Sequence, residues 1–225
     1  MKNKAERIAK AIQYSLLRAD AKESEILQLC KDTLRYGFDG VCVNPYYVGF
    51  CKKNLKDKAK VIGVVGYPLG CNKTEVKVHE AEQCIADGAD EVDVVMNIAA
   101  FKSGRYSFVQ QEINKIVKAV KSKGKEKIVK IIIETGFLNK KEIIEACKIV
   151  KQAGADFVKS GTGWSKPVTP TIIALMRRAV GEDFGIKAAG GLRHARQALA
   201  LIRAGATKLG TSHAVEIMKE VDKDK

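Results

Sequence analysis

The stretch "VKQAGADFVKS", residues 150–160, joins the end of an amphipathic run to a short apolar segment through Gly154, Ala155 and Asp156. A glycine at that place suits the left-handed conformation that closes a helix. The tight turn then delivers the chain straight into a buried strand. The same layout returns in "LRYGFDGVCVN" (34–44), "IADGADEVDVV" (85–95) and "LIRAGATKLGTS" (201–212). A repeated unit of helix, glycine turn and strand implies parallel strands joined by helical crossovers.

Working outward, apolar runs predict strands at 11–17, 41–44, 60–67, 91–98, 128–135, 156–160, 185–190 and 208–212. Between them lie stretches such as "KKEIIEACKIVKQAG", whose apolar residues recur three and four apart, as a helix packing one face on a sheet requires. Eight strands alternating with helices predict an α/β fold: a single (β/α)8 TIM barrel of parallel strands, one domain over residues 1–225. The structural alternative is an open doubly wound sheet, but no GxGxxG follows the first strand.

Charge and composition narrow the function. The net charge is +14, with a lysine-rich segment at 118–130 that fits a solvated helix end and loop. The lysines are scattered without interleaved aromatics, so a nucleic-acid partner is not expected. Steering of a phosphorylated metabolite is a better functional use of such a field than nucleic-acid binding, and a plain solvated surface is favoured over both. No apolar run approaches a membrane span, and the charged N-terminus lacks a secretory block, so no membrane association and a cytoplasmic location are expected. Cys30, Cys42, Cys51, Cys71, Cys84 and Cys147 show no metal-binding spacing and are expected as reduced thiols.

Catalytic sites of such barrels lie where strands end and loops begin. There, "DFVKSGTG" and "GIKAAGG" are built alike, each an apolar strand carrying a lysine before a glycine loop. If the two strands are neighbours, Lys159 and Lys187 approach each other. Mutual repulsion and burial then lower a lysine pKa and free an amine that can attack a carbonyl. A lysine snorkelling from a strand end is the structural alternative for either one alone. Asp93, inside the apolar "EVDVVMN", needs a cationic partner; it either passes protons or forms a structural ion pair with Lys130 or Lys187. Glycines at 161, 163, 190, 191 and 210 sit on three successive strand ends, where backbone N–H groups can cradle a phosphate. "SGTGWSK" fails the Walker spacing. His79, His194 and His213 share no metal-site spacing with carboxylates; His194 is placed in the first turn of the helix after strand seven, and His213 near the start of the helix after strand eight. Trp164 is open between pocket wall and packing.

At these residues the chain resembles the deoxyribose-phosphate aldolase family, across roughly residues 10–215. The resemblance is carried by "GVCVNPYYV", "VIGVVGYPLGCNKTEVKVHEA", "GADEVDVVMNI", "KIIIETG", "ADFVKSGTGW", "IKAAGGLR" and "AGATKLGTS". It implies a class I aldolase that reversibly cleaves 2-deoxy-D-ribose 5-phosphate to acetaldehyde and glyceraldehyde 3-phosphate. Lys159 would form the Schiff base, Lys187 would lower its pKa and Asp93 would relay protons. Lys130 and Cys42 match supporting positions. Gly161, Thr162, Gly163, Gly190, Gly191, Gly210 and Ser212 would bind the phosphate. The resemblance implies no metal and no organic cofactor, a small phosphorylated sugar or aldehyde as substrate, and a homodimer or homotetramer.

The departures lie at strand one and the phosphate loops. Gln13-Tyr14-Ser15 stands where the family usually has Asp-His-Thr or Asp-Leu-Thr, so Gln13 removes a carboxylate from the lysine network. Gly161, Ala189 and His213 each replace a usual serine. These changes keep open a Schiff-base aldolase of another phosphorylated sugar. A non-catalytic sugar-phosphate-binding barrel is the reading from another class, and intact Lys159, Lys187 and Asp93 argue against it.

Overall fold

The computed structural model describes residues 2–223. Helix α1 (Lys2–Ala11) leads into β1 (Ile12–Leu16), α2 (Glu23–Tyr36), β2 (Gly40–Val43), α3 (Val48–Leu55), β3 (Lys60–Val65) and α4 (Thr74–Ala86). There follow β4 (Glu91–Val95), a short α5 (Ile98–Lys102), α6 (Tyr106–Ser122), β5 (Ile128–Ile132), α7 (Lys140–Gln152) and β6 (Phe157–Lys159). The chain ends with α8 (Pro170–Val180), β7 (Gly185–Ala189), α9 (Ala195–Arg203), β8 (Lys208–Thr211) and α10 (Ala214–Lys223). Every strand pairs in parallel with the next, and β8 closes on β1. The closed barrel rules out the open sheet.

The repeated glycine turn does what its sequence predicts. Gly37, Gly88, Gly154 and Gly205 all have positive φ, from +67° to +112°. Two residues later the chain is pinned to an earlier strand: the backbone N–H groups of Asp39, Asp90, Asp156 and Thr207 donate to the carbonyls of Ile12, Val61, Val129 and Ile186. In three of the four repeats the side chain completes a reciprocal pair. Asp90 accepts from Val61 N–H (2.9 Å), Asp156 from Val129 N–H (2.8 Å) and Thr207 from Ile186 N–H (3.2 Å). These paired bonds help to fix the register between strands. Asp39 is the exception, and its carboxylate turns into the barrel instead.

Alternation along each strand divides two environments. Outward residues such as Val41, Val61, Val92, Val129, Val158 and Ile186 belong to the apolar layer beneath the helices. Helix α7 covers its part of that layer with Ile143, Ala146, Cys147 and Val150, and Asn139 caps its start reciprocally with Glu142. Inside the barrel, Cys42, Ile62 and Val64 form a small apolar cluster with Leu17 and Tyr67 beside it. Beside it the interior holds a group of charged side chains: Glu91, Asp93, Lys130, Lys159 and Lys187.

Strands β3, β4 and β5 stop two or three residues earlier than the apolar runs suggest and β1 stops one earlier, where the chain leaves the ladder for the loops. His194 is not inside the first helical turn but caps α9, with Nδ1 2.8 Å from Glu220. Among the described residues no helix is long and apolar enough to cross a membrane.

Candidate active site

Asp93 is the hub. It lies on β4 opposite Lys130 of β5, while Lys159 of β6 is registered against Lys187 of β7. Direct register places each pair on one face, and that face is the barrel interior. Lys159 Nζ and Lys187 Nζ each donate to Asp93 Oδ2 at 2.7 Å, and Lys130 Nζ donates to Oδ1 at 2.9 Å. Cys42 Sγ stands 3.8 Å from the same Oδ2. Asp93, Lys130 and Lys187 are fully enclosed, whereas the Lys159 side chain keeps 3% of its surface.

The electrostatics follow from that enclosure. Burial by itself would raise the Asp93 carboxyl, but Lys130, Lys159 and Lys187 overcome it and hold it well below the usual range. Burial depresses both Lys159 and Lys187. For Lys159 the attraction of Asp93, with Cys42 and Tyr67, outweighs burial and its pKa rises. For Lys187 burial prevails, helped by the positive charges of Lys159 and Lys130, and its pKa falls. In the free site the depressed amine is therefore Lys187, where sequence reasoning expects Lys159. The two ammonium groups share one carboxylate oxygen, so a proton can pass between them across Asp93.

Gln13 occupies the other side of Lys187. Its Oε1 accepts from Lys187 Nζ at 2.5 Å, and its Nε2 donates to Glu91 Oε2 (2.7 Å) and Asp39 Oδ2 (2.8 Å). Gln13 is thus a neutral bridge between Lys187 and the two carboxylates. Gly210 lies in β8, paired with both Gln13 and Ala189, and a Cβ there would come 3.1 Å from Lys187 Cε. It makes room for the lysine stem and is not a loop anion ligand. Ser15, registered against Cys42, donates weakly to the Gln13 carbonyl (3.3 Å).

The loops after β6, β7 and β8 are joined at the mouth. Ser160 Oγ donates to Ala189 O (2.8 Å), Val168 N–H to Gly190 O (3.0 Å), and Thr211 Oγ1 to Leu192 O (2.6 Å). Gly163 lies beside Gly190, where a Cβ would meet its Cα at 3.8 Å, and Gly191 leaves no room for one against Pro167. Exposed Ser212 contacts His213 (3.1 Å). Gly163, Gly190, Gly191 and Ser212 therefore remain at the mouth.

Thr162 and Gly161 do not fit the expected anion role. The N–H (2.9 Å) and hydroxyl of Thr162 both donate to the buried Glu134 carboxylate, and Ser165 Oγ donates to its other oxygen. A Cβ at Gly161 would come 2.7 Å from Glu134 Oε1. The glycine admits a carboxylate, and the threonine's donors are spent on it.

Sequence reasoning also passed over Glu91. It is buried and accepts from Lys130, Lys60 (2.8 Å) and Gln13. Burial would raise it, but Lys130 and Lys60 bring its pKa down to about 2. The signal was available, because alternation in "EVDVV" places Glu91 on the face of Asp93. Tyr67 was missed too; its hydroxyl donates to Thr162 O at 3.0 Å over the mouth. Trp164 is 73% exposed and not packed, and His79 is exposed on α4.

A family model described as DeoC/LacD family aldolase matches residues 10–219. A deoxyribose-phosphate aldolase of Thermoanaerobacter sp. (strain X514) is 48% identical over 219 residues, covering 96% of this chain and 97% of the relative. Among solved structures, "QR15, an Aldolase" is similar with a TM-score of 0.90 at 38% identity, covering 96% of both chains. The deoxyribose phosphate aldolase from Aeropyrum pernix, described as having a unique tetrameric structure, gives a TM-score of 0.90 at 30% identity, covering 98% of this chain and 93% of that one.

Proposed function

The chain belongs to the DeoC/LacD aldolase family, and we propose that it reversibly cleaves 2-deoxy-D-ribose 5-phosphate to acetaldehyde and D-glyceraldehyde 3-phosphate through a Schiff base on Lys159. The observation that carries this is the pair of lysine Nζ atoms on one oxygen of an enclosed carboxylate. Of the two, Lys159 is the nucleophile because it alone keeps surface towards the mouth.

The enclosed charges supply a reason for its activation. Lys130, Lys159 and Lys187 can carry three positive charges against the two of Glu91 and Asp93. Lys130 touches both carboxylates and keeps its proton, so the surplus falls on the Lys159–Lys187 pair. Transfer of the Lys159 proton to a neutral Lys187 across Asp93 leaves a free amine at the mouth. That amine adds to the C1 aldehyde, and loss of water gives the iminium ion. Loss of the C3 hydroxyl proton lets the C2–C3 bond break, with its electrons taken up as an enamine. Glyceraldehyde 3-phosphate departs, the enamine is protonated at carbon, and water releases acetaldehyde. Lys187 and Asp93 hold the proton in transit, and the backbone around Gly163, Gly190 and Gly191 faces the phosphate.

Incubation with acetaldehyde, reduction by borohydride and peptide mapping provide the test. An ethyl group on Lys159 is expected, together with turnover of deoxyribose 5-phosphate. Absence of that adduct overturns the Schiff-base assignment. Adduct without turnover assigns the same chemistry to another phosphorylated sugar. Assembly as a homodimer or homotetramer, suggested by the tetrameric Aeropyrum pernix relative, belongs to the same proposal and is read from sedimentation.

A further inference from the structure

Tyr67 follows β3 and reaches across the mouth to the loop after β6. Its ring packs against Cys42, Ile62 and Val64, inward residues of β2 and β3. Cys42 Sγ is 3.8 Å from Asp93 Oδ2, and Val64 is registered against Asp93. The ring therefore lies over the part of the barrel that holds Asp93. Its hydroxyl donates to Thr162 O at 3.0 Å. Strands β3 and β6 are three places apart in the closed barrel, so this side chain bridges the opening.

The path of the substrate is set by its two ends. The aldehyde carbon is bonded to Lys159 Nζ in the imine, and the phosphate lies against the backbone around Gly163, Gly190 and Gly191. C3 and C4, each with a hydroxyl, must cross the space between Lys159 and Gly163. Side-chain groups of the loop in that interval are already engaged. Ser160 Oγ donates to Ala189 O (2.8 Å), and the Thr162 N–H and hydroxyl donate to Glu134. The Thr162 carbonyl accepts from Tyr67. The phenol is a polar group at this place that can still bind, because a hydroxyl that has given its proton away accepts through its oxygen. Burial raises its pKa and outweighs the pull of Lys159 and the Trp164 indole, so it stays protonated and neutral.

We propose that the Tyr67 phenol oxygen accepts a hydrogen bond from the C4 hydroxyl of the imine-bound sugar. Tyr67 is then a specificity-determining residue that selects phosphorylated aldehydes with a hydroxyl beside the carbonyl. The C3 hydroxyl has another task, since it surrenders its proton to the enclosed Lys187–Asp93 pair deeper in the barrel. The C4 hydroxyl takes no part in bond breaking and becomes the 2-hydroxyl of glyceraldehyde 3-phosphate when the C2–C3 bond opens. It lies nearer the phosphate end, where Thr162 and the phenol meet.

The inference rests on the deoxyribose-phosphate reading, and its test runs in the condensation direction so that the two can fail separately. Wild type, Tyr67→Phe and Tyr67→Leu are given acetaldehyde with either D-glyceraldehyde 3-phosphate or 3-oxopropyl phosphate, which lacks only the 2-hydroxyl. The quantity compared is the ratio of kcat/KM for the two phosphates. Both use the same lysine chemistry and the same phosphate loops, so general damage to the site cancels in the ratio. Wild type is expected to favour the hydroxylated aldehyde by about tenfold, and the variants to retain a preference of about twofold or less. Either variant suffices, should one of them fail to fold. No preference in wild type, or an undiminished preference in the variants, overturns the assignment and leaves the aldolase reading intact. A wild type that forms the Lys159 adduct but condenses neither phosphate defeats the parent reading, and this assignment with it.

Discussion

Lys159 and Lys187 are registered directly against each other on adjacent strands, and both ammonium groups donate to Oδ2 of Asp93 at 2.7 Å. One oxygen cannot satisfy two full positive charges in an enclosed site as well as it satisfies one. The arrangement therefore favours a single shared proton deficit, and Asp93 is the group through which it moves. Turnover and its pH dependence both follow from that sharing and from the contacts that enforce it.

Asp93→Asn removes the bridge while preserving its shape. The expected loss in turnover is roughly 10²- to 10⁴-fold, the range for a positioned proton-transfer group. Lys130, Lys159 and Lys187 would be left buried around a neutral amide, and breaking buried pairs costs about 3–5 kcal/mol. Steady-state kinetics and urea denaturation measure the two effects separately. Wild-type turnover in the variant would remove Asp93 from the mechanism.

Lys187→Met should make Lys159 harder to deprotonate. Without Lys187, the enclosed set has Lys130 and Lys159 against Glu91 and Asp93, and the charges balance. In wild type the Lys187 pKa lies below its ordinary value, so the free-amine fraction grows as pH rises through that depressed value. In the variant the rise should begin at higher pH. Imine formation at neutral pH should then fall about tenfold for every pH unit by which the onset moves up. The rate of borohydride-trapped adduct on Lys159, followed against pH, is the measurement. A profile that overlays wild type would contradict the shared-proton scheme.

Glu91 predicts a specific acid limb of stability. Its folded pKa is lowered to about 2 by Lys130 and Lys60 against burial. A depressed carboxylate contributes stability that is complete above its unfolded pKa of ~4.3 and is lost as pH falls through the folded value. That lowering corresponds to on the order of 3 kcal/mol. Gln at position 91 cannot titrate, so Glu91→Gln should be less stable at neutral pH and should lose less on acidification. Urea midpoints between about pH 5 and pH 2 provide the comparison. Parallel curves for the two proteins would assign the acid limb to other groups.

The barrel was legible because its glycine turns are local: Gly37, Gly88, Gly154 and Gly205 each close a helix by backbone conformation alone. Lys159 and Lys187 were legible for a related reason, since two similar strand ends imply neighbouring strands. The Gln13 contact with Lys187 spans 174 residues and exists only because β8 closes on β1. No local pattern encodes the atoms that meet across that closure. The glycines at 161 and 210 misled for another physical reason. Glycine signals close approach, but not by what: at 161 the visitor is the Glu134 carboxylate, and at 210 the Lys187 stem. Lysine pKa order was equally hidden, because it depends on how completely each amine is enclosed.

Glu134 should act on the loop and leave the lysine chemistry in place. It follows β5 with a φ of +49°, unusual for a residue with a side chain, and there receives the Thr162 N–H, the Thr162 hydroxyl and Ser165 Oγ. Hydrogen bonds to a charged acceptor contribute about 1.5–3 kcal/mol, so Glu134→Ala should release the segment around Thr162 at a similar cost in stability. Gly161→Ala should have a milder form of the same effect, since its methyl group would press on Glu134 Oε1. Both variants should raise KM for the phosphorylated substrate more than they lower the rate of the acetaldehyde adduct on Lys159, because acetaldehyde has no phosphate to be held. Hydrogen exchange at Thr162 and Trp164 should accelerate in parallel. A selective loss of adduct formation, with KM unchanged, would instead place Glu134 in the proton chemistry of the lysine pair.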